Sequence, residues 1–96
     1  MTAWTINVET AAGRVTENQA GQLLEQIVAD GQAIAPATSY DRHQGSGEAV
    51  YQIQADDYPT AAITGIWIFF AAQRAIGLEP TLGNLSITVV GDPRSA

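Results

Sequence analysis

AIAPATSYDRHQGSGEAVYQIQA, residues 33–55, holds two extended segments joined by a polar turn, and its place in the chain decides the fold. Ala49, Tyr51, Ile53 and Ala55 alternate with Val50, Gln52 and Gln54, the period of two that a strand with one buried face imposes. Ala33 to Tyr40 reads as a strand too, with Pro36 inside it. Proline has no amide hydrogen to give to a ladder, so this strand is expected at a sheet edge. Asp41-Arg42-His43-Gln44-Gly45-Ser46-Gly47 supplies the glycine-containing connection, and the pair becomes an antiparallel hairpin.

Moving outward, a helix is expected on each side. Before the hairpin, Thr16 suits an N-cap, Gln19 takes the reciprocal capping-box position, and Val15 and Ala20 occupy the staple positions. Ala20, Leu23, Leu24, Ile27 and Val28 then form one stripe, and Gly31 is placed to end the helix; the span is Glu17 to Asp30. After the hairpin, Asp56-Asp57-Tyr58-Pro59 marks a helix start, with Pro59 at the first helical position and carboxylates where the helix dipole favours them. That helix is expected to run to Ile76 and stop at Gly77. At the chain's two ends lie two more alternating segments. Trp4, Ile6 and Val8 alternate with Thr5, Asn7 and Glu9; Leu85, Ile87 and Val89 alternate with Ser86, Thr88 and Val90.

The order is β-α-β-β-α-β. Right-handed crossovers around an intervening hairpin give an α+β fold, the ferredoxin-like split β-α-β arrangement: a four-stranded antiparallel sheet with two helices on one face. The first and third strands are then central, which agrees with the independent edge assignment from Pro36. Ninety-six residues fit one domain spanning 1–96, with 91–96, opened by Gly91-Asp92-Pro93, as a loose tail.

Composition excludes several activities. Four arginines, no lysine and ten carboxylates give a net charge of −6, which argues against direct nucleic-acid binding through phosphate contacts. Without cysteine there is no disulfide, thiolate metal site or thiol nucleophile. The most hydrophobic run, Ala61 to Ala72 with Thr64 and Gly65 inside it, falls short of the roughly 20 residues a membrane-spanning helix needs. With no secretory pattern at the N-terminus, the expectation is a soluble cytoplasmic protein.

The second helix carries more apolar surface than one sheet contact uses. Projected at about 100° per residue, Ala61, Ala62, Gly65, Ile68, Phe69, Ala72 and Ile76 make one stripe. Ile63, Ile66, Trp67 and Phe70 make another, with Gln73 and Arg74 at its end. One stripe faces the sheet and the other is expected to be partly uncovered. Trp and Phe beside Arg are residue types enriched at association hot spots. Ile63, Ile66, Trp67, Phe70 and Arg74 are therefore the expected interface, for a homodimer or another protein partner.

Chemistry-bearing patterns are sparse. His43 is the only histidine, beside Asp41 and Arg42 in the hairpin turn. It could serve as a base oriented by Asp41, but one histidine without cysteine cannot make a standard zinc site. Gly45-Ser46-Gly47 lacks the lysine and strand-to-helix setting of a phosphate loop, and Ser46 is in no nucleophile elbow. The central strands offer Asn7, Glu9, Gln52 and Gln54 where RNA-recognition motifs carry aromatic and basic residues. Arg14 follows the first strand without the glycine-rich surroundings of an acylphosphatase loop.

The expected function is thus a non-catalytic interaction or assembly module, with no metal and no cofactor. Two alternatives stand beside it. One is a small-ligand-binding domain or enzyme, with Tyr40, His43 and Tyr51 as its first candidate residues. The other is an acidic inhibitor or nucleic-acid mimic that occupies a basic partner.

Overall fold

A computed structural model of the chain describes residues 2–90. Its elements are β1 (Thr2–Glu9), α1 (Glu17–Asp30), β2 (Ile34–Asp41), β3 (Ser46–Ala55), α2 (Tyr58–Ala75) and β4 (Asn84–Val89). The strands form one antiparallel sheet in the order β2-β3-β1-β4, as the ferredoxin-like reading requires. The tail at 91–96 lies outside the described residues.

Element boundaries moved by a residue or two from those read in the sequence. β3 begins at Ser46 because Tyr40 and Asp41 pair with Gly47 and Ser46, which shortens the connection to a tight turn. Asp41 closes that turn: its Oδ1 accepts the His43 and Gln44 amides at 2.9 and 3.3 Å. At the start of α2 the N-cap is Asp57, whose carboxylate accepts the Thr60 amide at 2.9 Å, so Pro59 occupies the second helical position. Hydrogen bonds from Thr60 hold that carboxyl below its ordinary range. Thr16 and Gln19 form the full capping box at α1, and Gly31 ends it at φ 82°.

β2 is an edge strand, and it is irregular. Between Ile34 and Ala37 it advances three residues while β3 advances two, from Gln52 to Val50. The extra residue is a bulge at Ala35-Pro36, with Ala35 held at φ 50°. A proline without an amide proton and a residue turned out of ladder geometry are accommodated at one place.

Both helices pack on the sheet face lined by Trp4, Ile6, Val8, Ala49, Tyr51 and Ile53, all buried. α1 lies mainly over β2 and β3, and α2 over β3 and β1. The approach of α2 to β1 is close because Gly65 has no side chain: a Cβ there would lie 2.9–3.0 Å from three atoms of Ile6. Two further ties complete the frame. The Gly13 amide donates to the Gln44 carbonyl at 2.7 Å and Arg14 to Gly45 at 3.1 Å, joining the β1–α1 loop to the hairpin turn. The Gln73 side chain exchanges hydrogen bonds with the Thr81 backbone at 2.9 and 3.0 Å, joining the end of α2 to the approach to β4.

Two assignments need correction. Val28 was expected on the buried stripe of α1, yet it is exposed; Ala20, Leu23 and Ile27 are buried and Leu24 half-buried, because the small sheet covers only a narrow arc of that helix. Gln73 was placed on the outer stripe of α2 and is instead fully buried. Burial is tolerated because Thr81 satisfies both ends of its amide.

Candidate functional site

α2 divides its apolar residues as its length in a small fold demands. Ala61, Gly65, Ile68, Phe69 and Ala72 are buried. Of the second stripe, Ile66 and Phe70 are half-buried, whereas Ile63 is 59% and Trp67 56% exposed. Ile63 and Trp67 are four residues apart in the sequence, so they lie on one face a single turn apart. The Arg74 guanidinium stacks over the Trp67 ring at 5.7 Å from its centroid. This cation–π contact restrains the indole while leaving much of it in solvent.

Beside this face, the C-terminal end of α1 and the α1–β2 connection complete a shallow cleft of about 310 Å³. Asp30 and Gln32 line one side, with Ile63, Thr64, Trp67 and Ala71 on the other. Asp30 Oδ1 accepts the Gln32 amide at 3.2 Å, which anchors the carboxylate at the rim. No basic residue occupies the last turn of α1, so that rim combines a carboxylate with the negative end of a helix dipole. No local pattern announces this cleft, because its walls come from the end of α1, the connection after it and one face of α2, which lie more than 30 positions apart in the chain.

The three residues named as a ligand site occupy distinct settings. Tyr51 is buried in the core, and its hydroxyl donates to the Gly65 carbonyl in α2. Burial first, and the negative charge of Asp30 second, hold its phenol proton well above the ordinary tyrosine range. Tyr40 is half-buried on β2 and packs against the core edge. His43 is exposed in the hairpin turn, where Asp41 holds its backbone amide. The carboxylate meant to orient its imidazole is engaged by two backbone N–H groups instead.

On the opposite sheet face Glu9 and Glu48 stand directly across β1 and β3. Ser46 donates to Glu9 Oε1 at 2.9 Å, which ties one carboxylate oxygen to the hairpin. Among the described residues no group of three His, Cys, Asp or Glu side chains is arranged to hold a metal ion. Nor is any helix among them long and apolar enough to cross a membrane.

No protein-family model matches the chain, and no curated protein matches it in sequence. Solved structures do match in shape. A candidate antibiotic biosynthesis monooxygenase from Chloroflexus aurantiacus superposes with a TM-score of 0.57 at 13% identity, over 94% of this chain and 95% of its own. A candidate chlorite dismutase, TA0507, gives 0.56 at 13% identity over 93% of this chain; the match spans 44% of that longer protein. A de novo designed ferredoxin-fold protein gives 0.50 at 17% identity, over all of this chain and 91% of the design. Identities this low carry the fold and nothing finer: the chain has a ferredoxin-like fold.

Proposed function

We propose that this protein is a non-catalytic association module that buries the outer face of α2, Ile63 and Trp67 with Arg74, against a second copy of itself. The observation that carries the reading is the exposure of more than half of both Ile63 and Trp67 on one helix face. Large apolar side chains gathered in solvent favour a partner, because covering them removes apolar area from water. The surface also carries both charge signs, Asp30 at the cleft rim and Arg74 over the indole. A two-fold contact can bring such groups together from opposite copies.

Light scattering after size exclusion tests this directly. The natural chain is expected to exceed the monomer mass, and Trp67→Glu to lower the mass at unchanged helical circular dichroism. An unchanged mass would overturn the reading.

A second reading rests on the cleft itself. Asp30, Gln32, Thr64 and Trp67 line this shallow cleft of about 310 Å³, and the Chloroflexus neighbour in shape is a candidate enzyme. A ligand there raises the melting temperature by mass action and perturbs Trp67 emission. Silence across a broad screen of metabolites and metal ions would count against it.

A further inference from the structure

The two edges of the sheet are built differently. β2 carries Pro36, the Ala35 bulge and Asp41, which are devices that discourage a further strand from pairing. β4 has none of these. Its sequence Asn84-Leu85-Ser86-Ile87-Thr88-Val89 contains no charge, proline or glycine, and it pairs with β1 without a break in register. Among the described residues no strand lies on its outer side.

The ladder shows which backbone groups face outward. The Val90 amide donates to the Ala3 carbonyl at 2.9 Å, so that pair is hydrogen-bonded. Antiparallel pairs alternate, and Thr88 and Ser86 therefore point their amides and carbonyls at β1. Leu85, Ile87 and Val89 turn theirs away from it. The Leu85 amide is met by Oδ1 of its own neighbour Asn84 at 3.0 Å. The same three residues direct their side chains to the core face but remain half-buried, unlike Trp4, Ile6 and Val8 beside them. The helices lie over β1 and β3, which leaves the margin of the apolar face along β4 open.

We infer that β4 is a pairing edge whose occupant is β4 of a second copy of this chain, antiparallel and centred on Ile87. The pattern is self-complementary about that residue. With Ile87 opposite Ile87 of the second copy, Leu85 meets Val89 and Ser86 meets Thr88. The outward amides and carbonyls of Ile87 and Val89 and the Leu85 carbonyl then find counterparts, the Leu85 amide exchanges Asn84 Oδ1 for the Val89 carbonyl of the second copy, and the two sets of half-buried apolar side chains close one continuous face. A sheet of eight strands results. This contact is separate from the outer face of α2, and a chain using both two-fold contacts assembles beyond a dimer.

Ser86 and Thr88 are exposed on the opposite sheet face, so charging them leaves the core untouched. In the proposed register a Ser86→Lys/Thr88→Lys chain places like charges directly across the contact, and a Ser86→Glu/Thr88→Glu chain does the same with the other sign. Each chain alone is expected to show a lower light-scattering mass than the natural protein at unchanged circular dichroism. Mixing the two is expected to restore the contact. Made in the Trp67→Glu background, the pair isolates this edge: the background alone is then a dimer, each charged chain a monomer, and the mixture a dimer again. A monomeric Trp67→Glu background, an unchanged mass in the charged chains, or a mixture that stays monomeric would each overturn the proposal. A natural mass that Trp67→Glu leaves intact, but the charged chains reduce, would sink the α2 reading and keep this one.

Discussion

Tyr51 shows how one side chain can look functional in a sequence and prove structural. Its alternation with Val50 and Gln52 placed it on the buried face of a strand, and that held. Where its hydroxyl goes was not legible, because the acceptor is the Gly65 carbonyl, on an element that follows in the chain. Removing the hydroxyl in Tyr51→Phe is expected to lower stability by about 1 kcal/mol at neutral pH. The raised pKa of the buried phenol adds a pH dependence with a definite sign. Above a pH of about 10 an unfolded tyrosine loses its proton while the folded one keeps it, so the natural chain loses stability as pH rises. Urea titrations on both chains at pH about 7 and about 10.5 should find the gap between them narrowing at the higher pH. A gap that stays constant or widens would show that the buried phenol does not resist ionisation. His43 makes the complementary case: its exposure in a turn was readable, but the use of Asp41 on backbone amides depends on the turn's shape.

At the scale of elements, the same substitution is expected to act in opposite directions on the two helices. Gly65→Ala drives a methyl into fully buried Ile6 and should cost about 1–3 kcal/mol in spite of the better helix former. Gly21→Ala meets nothing within 4 Å on the exposed side of α1 and should gain about 0.5–1 kcal/mol. Thermal denaturation of the two variants separates the effects, and equal shifts would mean that α2 does not approach β1 as described. The sequence places Gly65 on an apolar stripe of its helix and Gly21 off the stripe of α1, but that the first meets Ile6 at a Cβ's distance and the second meets nothing is set by packing alone. Capping signals, by contrast, were readable because they are local: Thr16 and Gln19 satisfy each other's amides across one turn. Gln73 was misplaced for the opposite reason. Its partner Thr81 lies beyond the helix end, and no periodicity within the helix reports it.

For the whole molecule, the charge of −6 sets how association responds to salt. Copies meeting through apolar surface repel one another weakly, and salt screens that repulsion. Self-association is therefore expected to strengthen between roughly 0.01 M and roughly 1 M salt, where the screening length falls from about 30 Å to about 3 Å. Light scattering at fixed protein concentration measures it. Weakening with salt would instead show that attraction between opposite charges on the two copies, Asp30 and Arg74, outweighs the net repulsion.

The sequence by itself determined the order of elements, the edge position of β2 and the polar residues Asn7, Glu9, Gln52 and Gln54 of the central strands. Each depends on periodicity, a cap or a proline, which act over a few residues. It also determined that α2 has more apolar surface than one contact consumes. Which of those residues remain in solvent was decided only by the tertiary structure. Ile66 and Phe70 are half-covered while Ile63 and Trp67 are not, and the direction of α2 across the sheet sets that division. The cleft with Asp30 and the contrast between the two sheet edges arise in the same way. They are made by side chains and strands that are distant in the chain, and only packing brings them to a common surface.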